Sequence, residues 1–532
     1  MKKNISKTIQ LFFAVLLLTL TFSCETTNLD INDNPNSLTL DSSDPNFILN
    51  SIQISFAVQH TTLSSISSGV VRHVNQFGTY AASSEASTMN TAWSNAYSIT
   101  ANSQLLATLA NERGLPNHIG VAQVLEAYAY VNLVDYIGTA VYSEAVNSDF
   151  PSPNLDTGES IYNAAYVLLD QAIVNLGGTN TSSFEDLYFD GDTDSWIKLA
   201  NTLKLKMYLQ SKLVLTSDQA TAMNAIVSTG NFISSATDDF QVQFGTSATN
   251  PDTRHPFFVD AYISGAGNTY MSNNFIHMLK DDKTNITDPR LTYYLFRQDL
   301  SDPTGDLLPC DGEDFEYCYL GDGYWGRDHA DDQGIPNDGN NRTTYGIYPG
   351  GGKFDSGTNN ARTSASDGLQ GAGIHPIILS SFVHFMLAEA ALPSPAGIGA
   401  SGDSKTLLTD AIEASFAKVE AVSAISMEAA DKTAYIDYVS DEYDAATSDE
   451  DKLAIIIREY HIALWGNSIE SYNNYRRTGY PYLGESVDSN TAFPRSYFLP
   501  ESELNSNDNP ALEQKALTDQ VFWDTNAADF IN

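Results

Sequence analysis

A mostly α-helical body of helix-turn-helix units, of the tetratricopeptide kind, interrupted by one large irregular face, is the fold this sequence predicts. Three observations carry that expectation. Apolar residues fall on one helical face in successive segments: Val121, Val124, Leu125, Tyr128, Val131 and Val134, then Ile161, Ala165, Leu168 and Ala172, then Trp196, Leu199, Ala200, Leu203 and Met207. Small residues stud these segments (Ala122, Ala127, Ala129, Ala164 and Ala165) and let neighbouring helices approach closely. Between residues 231 and 370 the periodicity gives way to Gly, Asp, Asn, Pro and Tyr.

Residues 1–23 read as an export leader. Lys2, Lys3 and Lys7 precede an apolar run from Ile9 to Phe22, followed by Ser23-Cys24. That run falls short of the ~20 residues needed to span a bilayer. A small residue followed by Cys is where a lipoprotein signal peptidase cuts, which makes Cys24 the lipidated first residue of the mature chain. The alternative is an ordinary secretory leader with Cys24 incidental, since Phe22 stands where a small residue is usual. Residues 24–46, polar and carrying Asn-Pro and Asp-Pro pairs, read as a lipidated tether. One domain is expected over residues 47–532, with its helical body at about 47–230 and 377–470 and its loop-rich face at about 231–370.

Within that face, Phe240–Phe244 alternates like a short strand, and Leu291–Phe296 is a second candidate. A stretch this long with so few elements is usually functional. Helices are expected again at Ile377–Leu392, Lys405–Val422, Lys432–Ala446 and Asp451–Ser468, the last burying Leu453, Ile456, Ile457, Tyr460 and Leu464. Gly479 and Pro481 stop the helical run after Arg476-Arg477, and the tail from Pro494 to Asn532 reads as irregular.

The 66 acidic and 27 basic residues give a net charge of −39, or −42 once the three leader lysines are removed. Such a chain repels nucleic acid and anionic headgroups, so membrane attachment has to come from the lipid. Beyond Cys24, Cys310 and Cys318 lie close together in an Asp-, Gly- and Tyr-rich stretch. In an exported protein the pair favours a disulfide; zinc is the rival, but only His329 stands nearby to help complete a ligand set. Asp190-Gly-Asp192-Thr-Asp194 begins like a calcium loop but lacks the Gly and Glu that the loop needs at Ser195 and Asn201. Asp192 or Asp194 reads instead as the cap of the Trp196 helix. No His-Glu-x-x-His, Gly-x-Ser-x-Gly or Walker motif is present, no metal or cofactor is implied, and no pair of acids stands out as a glycoside-hydrolysing set.

Several segments, in this order and spacing, resemble the SusD/RagB family of nutrient-binding outer-membrane lipoproteins. They are Leu29-Asp-Ile-Asn-Asp-Asn-Pro-Asn36, Leu133-Val-Asp-Tyr-Ile-Gly138 with Val141-Tyr-Ser-Glu-Ala145, and Gly191-Asp192 leading to Trp196-Ile-Lys-Leu-Ala-Asn201. Further on come Phe385-Met-Leu-Ala-Glu-Ala390, Tyr475-Arg-Arg-Thr-Gly-Tyr-Pro481, Pro494-Arg-Ser-Tyr497 and Pro500-Glu501. The resemblance implies four tetratricopeptide-like units, a less regular ligand face and no catalysis. It implies capture of an oligosaccharide or polysaccharide, or sometimes a peptide, and closure like a lid over a partner TonB-dependent, SusC-like transporter at the cell surface. A surface glycan hydrolase is the competing function.

The expected ligand residues are Tyr324, Trp325, Arg327 and Asp328, with Tyr345 and Tyr348. Aromatic rings stack on the C–H faces of sugars, while Asp, Asn and Arg bond to their hydroxyls, and the glycines of this loop permit close backbone approach. Each residue also has a packing reading: loop aromatics often turn inward, and Arg327 and Asp328 can pair with each other. His329 reads as a satisfied hydrogen-bonder, Tyr80, Trp93 and Tyr97 as packing residues, and Arg476 and Arg477 as structural ion-pair partners at a helix end.

Overall fold

The computed structural model describes residues 43–264, 269–303, 315–331, 341–358, 362–488 and 492–531. Cys24 and Cys310 lie outside these residues, as does all but the end of the expected tether; Cys318 is disulfide-bonded.

The first helical block follows from its punctuation. Helix α1 (Pro45–Val70) buries Leu49, Ile52, Phe56, Leu63 and Val70 along one side. α2 (Asn90–Arg113) stops at Gly114, whose φ of 66° favours a residue without a Cβ. α3 (Pro116–Ile137) has proline in its first turn and Gly138 at its end, and is buried on nearly every side, which makes it the central helix. Thr157 caps α4 (Gly158–Leu176), Asp192 caps α5 (Thr193–Gln210) as its spacing predicts, and a Thr216–Gln219 capping box opens α6 (Ser217–Thr229). Each helix packs on the next in sequence. α3 packs tightly on α4 at Gly120, where a Cβ would lie 2.7 Å from Leu176 Cγ.

A short ladder joins β1 (Thr139–Ala140) to β2 (Asp156–Thr157). β3 (Phe240–Gln243) forms as its alternation predicts, and its antiparallel partner is β6 (Ile374–Ile378). The expected strand at Leu291–Phe296 instead opens as a helical turn, Leu291–Tyr294, before β4 (Leu295–Arg297) pairs with β5 (Thr343–Tyr345). α7 (Asn273–Lys280) is a short helix inside the irregular face, which is otherwise loop-rich among the described residues.

In the second block, the helix expected over Ile377–Leu392 begins only at Ser380. Residues to Ile378 are claimed by β6, and α8 runs Ser380–Ala391. α9 (Ser404–Ser423) extends its expected span slightly at both ends, and α10 (Ala429–Ala445) starts before Lys432 and ends just short of Ala446. The helix expected to Ser468 is broken into α11 (Asp449–Ala463) and α12 (Ser468–Thr478), because Gly466 takes φ 102° and Asn467 caps the second piece. α8 returns to pack on α5, and α12 on α1, so residues 45–532 close into one unit. The tail is irregular apart from Glu501–Ser506, yet it drives Tyr497, Leu499 and Trp523 into the core.

A knot of buried charge joins these parts. Asp135 of α3 accepts from the Tyr162 hydroxyl, from Trp523 Nε1 at 2.9 Å, from Asn473 Nδ2 at 3.1 Å and from Lys206 Nζ at 3.3 Å. Lys206 also pairs with Glu470 at 3.3 Å. Arg476 donates to the Asp135 carbonyl at 2.6 Å and lies over the rings of Tyr472 and Trp523. Arg477 clasps Glu389, and Lys212 reaches the same carboxylate at 2.8 Å. Burial alone would push Glu389 up, but these two cations hold its carboxyl below its ordinary value. Arg495 closes on Asp524 at 2.7 Å. Asp135, Glu389, Arg476, Arg477 and Arg495 all belong to the segments that carry the family resemblance. Arg477 is a structural ion-pair partner, as expected, whereas Arg476 is held by the Asp135 and Arg495 carbonyls and by Asn473 Oδ1 instead of by a carboxylate.

Candidate functional site

The structure places all six expected ligand residues inside the protein, with between 2% and 5% of their surface exposed. Tyr324 lies under the Arg297 guanidinium, 4.5 Å from its ring centre. The Trp325 backbone is zipped to Thr343, with its N–H donating to Thr343 Oγ1 at 2.8 Å. Arg327 pairs with Asp331 at 2.8 Å rather than with Asp328, and sits over the Tyr270 ring. Tyr345 stacks on Phe257 with centroids 4.1 Å apart, and Tyr348 stacks on Tyr294. Their rings fill the interior of the loop face instead of covering it. Tyr80, Trp93 and Tyr97 are packing residues, as expected: Trp93 and Tyr97 meet at 5.0 Å, and Tyr97 donates to the Val141 carbonyl. His329 departs from expectation. It is buried against Tyr80, neither ring nitrogen has a hydrogen-bond partner among the described residues, and burial, helped by Arg72, pulls its pKa to about 2.

What these buried residues do is hold a second tier that reaches solvent. The Asp328 carboxylate accepts from the Tyr317 N–H at 2.9 Å and from Asn273 Nδ2 at 2.6 Å, while Asn273 also donates to the Cys318 carbonyl. Segment 315–319 is thereby pinned above α7. From the other side, residues 482–487 are tied to this segment and to the loop and helix end beneath it. The Glu485 N–H donates to Glu316 Oε2 at 2.6 Å, the Val487 N–H donates to the His329 carbonyl, and Arg72 Nε donates to the Leu483 carbonyl. Gly484, at φ 75°, lies so close that a Cβ would meet Glu316 Oε2 at 2.9 Å.

The result is an aromatic and polar patch. The half-buried Tyr317 ring lies 4.9 Å from His277, and its hydroxyl is 3.5 Å from Asn274 Nδ2. Tyr482 is 63% exposed beside Glu316. Partial burial, and then the Glu316 charge, raise the pKa of both tyrosines, so both hydroxyls stay protonated at neutral pH and can donate as well as accept. Two protonated tyrosines around a carboxylate supply the faces and hydrogen-bonding groups that a hydroxylated ligand needs. Sequence reasoning missed Tyr317 and Tyr482. Tyr317 precedes Cys318 in the expected face, but Tyr482 comes from the stop after α12, and only the fold brings the two together. Among the described residues no cluster of His, Cys, Asp or Glu could hold a metal ion, and no helix is long and apolar enough to cross a membrane.

Comparisons with known proteins bear on this arrangement. A family model described as "Starch-binding associating with outer membrane", SusD-like, matches residues 35–308 and 331–500. A SusD/RagB family protein from Bacteroides thetaiotaomicron shares the fold with a TM-score of 0.66 and 19% identity, over 88% of this chain and 95% of the other. A chitin-binding SusD homolog from Flavobacterium johnsoniae gives 0.65 at 18% identity, over 91% and 99%. A Bacteroidetes SusD-like protein gives 0.67 at 17% identity, over 91% and 100%. No curated protein sequence matches the chain. The architecture therefore has its counterpart in solved SusD-like structures, and with the family model covering most of its length the chain belongs to the SusD-like family of starch-binding, outer-membrane-associated proteins.

Proposed function

We propose that this protein captures a neutral oligosaccharide on the loop-rich face, at the patch of Tyr317, Tyr482 and Glu316, and performs no chemistry on it. The observation that carries the reading is the exposed Tyr482 ring beside the supported Tyr317–Glu316 segment. The starch-binding description of the family and the chitin-binding relative support a glycan as ligand class. Delivery to a TonB-dependent, SusC-like transporter, with a lipid on Cys24 as the anchor, completes the proposal. In it, Tyr324, Trp325, Arg327, Asp328, Tyr345 and Tyr348 act as the rigid bed of the site.

The test is titration calorimetry with maltoheptaose and chitohexaose, with product analysis of the same mixtures. Tyr482→Ala should weaken binding by ~1–2 kcal/mol, the range of one aromatic contact with its buried area, and leave the thermal midpoint unchanged. Undiminished binding by Tyr482→Ala moves the site elsewhere. Shortened oligosaccharides would instead support the hydrolase reading.

A further inference from the structure

A second cleft, sharing no residue with the loop face, is built on the helical body. It has a volume of about 350 Å³, within the range of small-ligand sites, and lies between α4, the start of α6 and the tail. Glu159, Tyr162, Asn163 and Tyr166 stand at i, i+3, i+4 and i+7 of α4, so a single helix face supplies one wall. Ser211, Val214, Thr216, Gln219 and Phe522 complete the lining.

The aromatic members are fixed in place. Tyr162 is tied through its hydroxyl to Asp135 and meets Phe522 edge-on at 4.8 Å. Tyr166 is stacked on Tyr208 at 4.6 Å with an 18° tilt. The polar members are not used up. Glu159 and Asn163 make no side-chain hydrogen bond among the described residues. Gln219 commits its carbonyl oxygen to the cap of α6, which leaves its amide nitrogen without a partner there. Glu159 is the only charged residue of the lining, and no Lys or Arg is among it. Tyr162 is buried and backs the wall, while the half-buried Tyr166 and Phe522 rings, with an idle carboxylate, an idle amide and an idle amide nitrogen and no cation, match an uncharged polyhydroxylated ligand and reject an anionic one.

We infer that this α4–α6 cleft is a second binding site for an uncharged sugar unit, independent of the loop face. Hydrogen–deuterium exchange on the mature protein tests it, with maltoheptaose and chitohexaose as probes at millimolar concentration. Exchange across residues 211–219 is expected to slow severalfold with at least one probe, in the wild-type protein and equally in Tyr482→Ala. Asn163→Trp, at an exposed position of α4, fills the cleft without entering the core and should abolish the slowing. The inference is overturned if neither probe slows this segment or if the slowing survives in Asn163→Trp. Slowing that disappears in Tyr482→Ala assigns the effect to the loop face and overturns it equally.

Discussion

Burial changes what Trp325→Ala is expected to do. A surface ring would lose ligand contact alone, but this one is enclosed at the β5 edge, so its removal leaves a cavity worth about 3–5 kcal/mol. The expected outcome is a large fall in the denaturation midpoint, read by urea titration; a stable variant with selectively weakened glycan binding would contradict the placement. Glu389 is a parallel case. Arg477→Ala strips a buried carboxylate of its main partner and should cost about 3–5 kcal/mol, whereas an exposed ion pair would cost little. At this scale the sequence is legible for composition and silent about direction. Gly-Tyr-Trp-Gly-Arg-Asp reads the same whether its rings face water or Tyr270 and Arg297, because a loop has no period that sorts inside from outside.

Periodicity is why the helices were legible. The stripes around Val121–Val134, Ile161–Ala172 and Trp196–Met207 lie inside α3, α4 and α5, and the cap at Asp192 is where the Asp run places it. The errors fall where a partner distant in sequence decides. Ile374–Ile378 is strand only because β3 lies beside it, and the α11–α12 break sits at Gly466, where the backbone passes so close to Pro349 and Pro376 that a Cβ would meet Pro349 Cγ at 2.8 Å. Close helix approach was read from alanines, but Gly120 is also a point of tight contact between α3 and α4. Gly120→Val should therefore wedge α3 from α4 and destabilise the fold by about 1–3 kcal/mol or more, without altering the isolated propensity of α3 much. A calorimetric melt checks it; an unchanged midpoint would mean that Leu176 yields freely.

For the molecule as a whole, buried histidines set the response to acid. Burial holds His73 at about 4 and His375 at about 4; burial, and then the neighbouring His375, hold His255 at about 3; His60 and His461 are also pulled well below 6.5. The unfolded chain takes up these protons first, near pH 6.5, so stability is full above that value and is lost as pH falls toward about 4. His329 adds to the same loss, while Glu126, raised to about 7 by burial, and Glu470, also raised by burial, work in the opposite direction, but they are two groups against six. The thermal midpoint should therefore drop steadily between pH 6.5 and 4, and His375→Gln should flatten part of that slope. Anchoring is likewise a property of the whole chain: Cys24→Ser should release the protein from washed membranes, since no described helix can substitute for a lipid. A last consequence belongs to the buried knot. Asp135 lies in the first helical block, yet it is satisfied by Asn473, Arg476 and Trp523, up to 388 positions later. The central helix therefore completes its buried contacts only once the C-terminal tail is in place, so loss of that tail would leave the Asp135 charge short of its Trp523 donor at the heart of the first block.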